Sequence, residues 1–133
     1  MDLRTLAGGV IWIDAATDVD ALLGELDDSW AIARHPVTSG ASKESIISAI
    51  GASLSFPEWA GTNLDALYDL LTDLEWLTDE SGTARNVAVV LDRASSPEAV
   101  ASEPADWSKI VYVLLDAAAW WQPKERNFLA ILR

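Results

Sequence analysis

The stretch Phe56-Pro57-Glu58-Trp59-Ala60-Gly61-Thr62-Asn63-Leu64-Asp65-Ala66-Leu67-Tyr68-Asp69-Leu70-Leu71-Thr72-Asp73-Leu74-Glu75-Trp76 reads as a tight loop running into an acidic helix. Leu64, Leu67, Leu71 and Leu74 recur at helical spacing and form one buried stripe. Asp65, Asp69 and Asp73 follow an i, i+4, i+8 spacing on the opposite side. Like charges so placed cost an isolated helix roughly 0.2–0.5 kcal/mol per pair, and no Lys or Arg stands nearby to relieve them. From Glu44 to Ala84 the chain holds eight acids (Glu44, Glu58, Asp65, Asp69, Asp73, Glu75, Asp79, Glu80) and no base.

A charged helix face ordinarily serves solubility. Asp65 also has a local task, because Thr62-x-x-Asp65 has the form of a capping box and a first-turn carboxylate suits the helix dipole. Asn63 is the alternative cap. Neither role covers Asp69 in mid-helix, or Asp73 towards the C-terminal end, where negative charge is unfavourable. The loop before the helix is expected to turn at Gly61, a residue free to take a positive φ.

Working outward, Val10 to Ile13 and Trp30 to His35 suit strands, and between them Thr17 or Asp18 caps a helix bearing Val19, Leu22, Leu23 and Leu26. Ser42 caps a helix that buries Ile46, Ile47, Ile50 and Leu54. After the acidic helix, Val87 to Leu91 is a continuous apolar run, the pattern of a parallel strand covered on its faces. Ala94 to Asp106 reads as a polar loop with a short helical turn. Trp107 to Trp121 is a helix with Ile110, Val111, Leu114, Leu115 and Ala118 inward and Asp116 outward, and Asn127 to Leu132 a last strand. The order β-α-β-α-α-β-α-β predicts an α/β fold, a small parallel sheet with helices mainly on one face; a doubly wound sheet is the alternative.

The 133 residues suit a single domain over 1–133. A net charge of −12 argues against direct binding of nucleic acid or an anionic membrane and in favour of a cationic partner. The chain has no cysteine, which excludes thiol catalysis and disulfides. Neither a secretory signal nor a membrane-spanning run is visible, so a cytoplasmic location is expected.

Catalytic chemistry finds little support. His35 is the only histidine and reads as structural, and no HExxH, Walker A or GxGxxG motif occurs. Asp65 and Asp69 lie one turn apart, but the sequence offers no second set of evident ligands beyond Asp116. No metal, cofactor or enzymatic activity is expected. Of seven tryptophans, Trp12, Trp30, Trp76 and Trp107 read as core or core-edge residues. Trp59 instead sits in the loop beside the acids, where an aromatic anchor suits the centre of an interface. Trp120 and Trp121 suit either the core or a second surface patch.

Phe56-Pro57-Glu58-Trp59, Gly61 and Asn63-Leu64-Asp65-Ala66-Leu67-Tyr68-Asp69, continuing to Leu71, resemble the barstar family, intracellular inhibitors of secreted bacterial ribonucleases. A weaker resemblance runs from about Trp30 to the C-terminus. It implies a barstar-like fold in which residues 1–28 are an N-terminal extension whose strand and helix pack on the domain, adding an edge strand. It implies that the loop and acidic helix plug a ribonuclease active site, with Asp69 standing in for a substrate phosphate, Asp65 a second interfacial acid and Trp59 packing on the catalytic histidine. Gly61, Asn63, Tyr68 and Asp73 fall on the same surface, and Asp116 aligns with an interfacial acid of the penultimate helix. The implied partner is a small basic secreted ribonuclease bound one-to-one by an inhibitor that is monomeric when free. The alternative is an acidic immunity or adaptor protein for a different basic partner. Ala60 stands where relatives often have a second aromatic, Tyr68 replaces a Trp, and the family cysteine positions are empty.

Overall fold

The computed structural model describes residues 9–94, 96–101, 103–124 and 126–133, so residues 1–8 of the N-terminal extension lie outside the described residues. Nine elements follow in order: β1 (Gly9–Trp12), α1 (Val19–Leu23), β2 (Trp30–Pro36), α2 (Lys43–Ser53), α3 (Leu64–Leu71), β3 (Asn86–Asp92), α4 (Pro97–Ala101), α5 (Trp107–Trp121) and β4 (Phe128–Leu132). The strands form one all-parallel sheet in the order β1-β4-β3-β2. β1, from the extension, is an edge strand, with Val10 opposite Ala130 and Trp12 opposite Leu132.

The central strands β3 and β4 are apolar at nearly every position because both their faces are covered. On one face Ala31, Ala33, Val87, Val89, Leu91, Phe128 and Ala130 meet Ile46, Ile47 and Ile50 of α2, Leu67 and Leu71 of α3, and Ile110 and Leu114 of α5. On the other, Val90, Leu129 and Ile131 are covered by Val19 and Leu22 of α1, with Ile11 and Ile13 beside them. The larger core is the one under α2, α3 and α5, in keeping with helices mainly on one face, and among the described residues the smaller core behind the sheet takes its helical cover from the five-residue α1.

Local signals set most element ends. Asp18 caps α1 by accepting from the Ala21 amide, and Ser42 and Ser45 cap α2 reciprocally through side chain and backbone. The extension is tied down by Arg133, whose Nε and Nη2 donate to the Asp92 carboxylate at 3.0 and 2.7 Å. Its Nη1 donates to the carbonyls of Asp14, Ala15 and Thr17 in the loop after β1.

Two apolar residues, Trp12 read as core or core-edge and Leu115 read as inward, are at the surface. Trp12 is 55% exposed because β1 is an edge strand, paired on one side only. Leu115 is 41% exposed: the buried stripe of α5 runs through Trp107, Ile110, Val111, Leu114, Ala117 and Ala118 and leaves it on the flank.

Candidate functional site

The loop that opens the site hangs from the end of α2. Ser55 takes the left-handed conformation at φ 57°, and the Phe56 amide turns back to donate to the Gly51 carbonyl at 2.9 Å, a Schellman closure. Gly51 is required here, since a Cβ at this position would lie 2.9 Å from the Phe56 ring. Phe56 packs edge-on to Trp76 at 6.0 Å, and the Trp76 indole N–H donates to the Leu54 carbonyl. From this anchored root a turn closed by Ala60 N–H to Pro57 carbonyl carries Trp59 at its tip, 80% exposed.

Asn63, and not Thr62, caps α3: its side-chain oxygen accepts from the Ala66 amide at 2.8 Å. Gly61 does not take a positive φ. A Cβ there would lie 3.3 Å from the Asn63 side-chain nitrogen, a tight contact beside the cap.

Leu67 and Leu71 are fully buried and Leu64 partly so, leaving Asp65 and Asp69 exposed on the outer face of α3. Leu64, Asp65, Tyr68 and Asp69 line one side of a shallow groove whose other side is Val113 and Asp116 of α5. Three carboxylates from two helices therefore share one concavity. Among the described residues, no ion pair engages Asp65, Asp69, Asp73 or Asp116; the pairs present are Arg34 with Asp20, Lys43 with Glu44, Arg93 with Glu103, Lys109 with Asp106 and Arg133 with Asp92.

Asp73 departs from the expected helical register. α3 ends at Leu71 with Thr72 as its cap, and Leu74 adopts φ 52°, so Asp73 lies beyond the helix, exposed but off the i, i+4 line of Asp65 and Asp69. The cause is a set of donors that take up the carbonyls at this end. Thr72 Oγ1 donates to the Tyr68 carbonyl, the Trp121 indole to that of Leu71, and Arg126 to those of Leu74 and Leu77. Arg126, 7% exposed, lies 5.0 Å from the Trp121 ring centroid, and its positive charge suits the negative end of the helix dipole. Burial lowers its pKa while nearby Asp73 opposes the shift. Sequence reasoning missed this residue; its only signal is a lone arginine just before an apolar strand.

Trp121 is thus turned inward and Trp120 outward, 44% exposed. His35 is half-buried, with its Nε2 3.0 Å from Ser53 Oγ, and desolvation lowers its pKa. Among the described residues no group of three or more His, Cys, Asp or Glu could hold a metal ion, and no helix is long and apolar enough to cross a membrane.

Fold and site together define a small parallel α/β protein that presents an acidic groove between two helices, with an exposed indole ahead of it. Residues 30–133 match the family model described as Barstar (barnase inhibitor), and the chain belongs to the barstar family. The match begins at β2 and leaves β1 and α1 outside it. No curated protein and no solved structure is significantly similar to the chain.

Proposed function

We propose that this protein is a cytoplasmic inhibitor that binds a small, basic, secreted ribonuclease one-to-one and occludes its active site. The observation that carries the reading is the groove in which Asp65 and Asp69 of α3 meet Asp116 of α5, without internal cations, in a chain of the barstar family. A ribonuclease cleft is built to hold phosphates with basic groups. A carboxylate on a rigid helix offers those groups a non-cleavable substitute, with Asp69 in the phosphate's place and Asp65 and Asp116 beside it.

The chain's net charge of −12 draws a basic enzyme into encounter, and this steering weakens as salt is added. Trp59, at the tip of an anchored turn, supplies an apolar anchor that excludes water next to the charges. Asn63 and Gly61 shape the entrance to α3, and Tyr68 forms part of the groove wall. No bond is made or broken, so inhibition is stoichiometric and reversible.

The test is titration of barnase-catalysed RNA cleavage with the wild-type protein at low and high salt. The reading predicts an equivalence point at one inhibitor per enzyme and weaker inhibition at high salt. Full enzyme activity at excess protein would redirect the function to a different basic partner, such as another toxin.

A further inference from the structure

We propose that Trp120 is a second aromatic anchor of this surface, and that its ring seats a cationic side chain of the partner in place of Lys124, which occupies it in the free protein. The proposal rests on the reading of the groove as a docking site for a basic protein.

Four residues of α5 make one stripe: Lys109, Val113, Asp116 and Trp120, spaced i, i+4, i+7, i+11. Val113 and Asp116 line the groove against α3, so Trp120 is the next step along that face. The neighbouring Trp121 is spent on the protein itself, its N–H bound to Leu71, which leaves Trp120 directed outward. α3 and α5 run in the same sense, since the groove joins Leu64 and Asp65 to Val113 and the indole bond joins Leu71 to Trp121. The acids are therefore flanked by an exposed indole at each end, Trp59 before α3 and Trp120 at the close of α5.

The Trp120 ring already holds a cation. Lys124 Nζ lies 3.7 Å from the ring centroid while donating to the Trp120 carbonyl at 2.8 Å. Such a contact is weak where water reaches it and stronger once desolvated. A partner that seals the groove desolvates the ring, and a guanidinium, planar and less strongly hydrated than an ammonium, then stacks on it better than lysine does. Lys124 sits on a flexible stem that can swing into solvent.

The experiment is a double-mutant cycle on barnase binding, measured calorimetrically, with wild type, Trp120→Ala, Lys124→Met and the double variant. The proposal predicts about a tenfold loss of affinity for Trp120→Ala, a gain of about threefold for Lys124→Met, and a clearly smaller gain from Lys124→Met when Trp120 is alanine. Removing a lysine strengthens any acidic surface, so an equal gain in both backgrounds would overturn the displacement. Trp120→Ala within twofold of wild type would overturn the anchor. Trp120→Leu, which keeps apolar bulk and loses the π face, should show the same loss if alanine perturbs folding. If wild type does not bind barnase, the inhibitor reading fails by itself. The seat is then read by titrating hexa-arginine while following the Trp120 indole resonance by NMR: a saturable shift supports it, and an unmoved resonance overturns it.

Discussion

The indole N–H of Trp121 donates to the Leu71 carbonyl at 2.7 Å and fastens the last turn of α3 to the last turn of α5. The hydrogen bond links the two walls of the acidic groove at this end. Trp121→Phe keeps most of the apolar area and deletes the donor. It should lower stability by about 1–2 kcal/mol, read as a drop in urea midpoint at constant m-value.

Arg126 is buried, and its two terminal nitrogens donate to backbone carbonyls, chiefly those of Leu74 and Leu77, while its Nε is without a hydrogen-bond partner. Arg126→Met fills similar space but leaves those carbonyls without donors, at a cost of roughly 1–3 kcal/mol for each group left unpaired. Urea unfolding should show a larger loss than for Trp121→Phe. A stability equal to wild type would mean that water replaces the guanidinium at no cost.

Gly51→Ala separates two opposed effects. Helix propensity favours alanine by up to about 1 kcal/mol, whereas the new Cβ would meet Phe56 at 2.9 Å. Overpacking costs about 1–3 kcal/mol, so the net change should be destabilising. A stabilised variant would show that Phe56 moves freely and does not root the Trp59 loop.

Asp92 has its pKa held below the ordinary carboxylate value, chiefly by the hydrogen bond from Arg133. A depressed folded-state pKa contributes stability above the unfolded-state pKa of about 3.9, and loses it as pH falls through the folded-state value. Asp92→Asn should therefore cost about 2 kcal/mol at pH 7, and the gap to wild type should close as pH falls through the folded-state value. Because Arg133 also holds the loop after β1, protection of the β1 amides from hydrogen exchange should fall in the same variant.

Asp73, exposed beyond the end of α3, is placed to steer more than to anchor. Asp73→Ala should slow association with barnase by about twofold at low salt and leave dissociation unchanged, as for a rim charge. Stopped-flow fluorescence separates the two rates.

The sheet was legible because its signals are local. Val87 to Leu91 is an unbroken apolar run, Ser42 announces α2, and the leucines of α3 keep a helical period; the family motif from Phe56 to Leu71 points to the candidate site. What stayed hidden depends on residues far apart in the chain. The end of α3 is fixed by Arg126 and Trp121, 52 and 50 residues from the carbonyls they bind, and they hold Leu74 at a positive φ that leucine seldom adopts. The choice between Trp120 and Trp121 hangs on that same Leu71 carbonyl. Trp12 reads as core or core-edge by its chemistry, and its place on an edge strand, which pairing alone decides, leaves it exposed.

The most direct test of the account is the dissociation constant of the barnase complex with wild type and with Asp69→Ala, at low and at high salt. The account predicts a loss of about 2–5 kcal/mol on removing Asp69, the range for breaking a buried, hydrogen-bonded charge pair, together with a shallower dependence on salt. Equally tight binding by Asp69→Ala would contradict the acidic groove as the surface that fills the enzyme's active site.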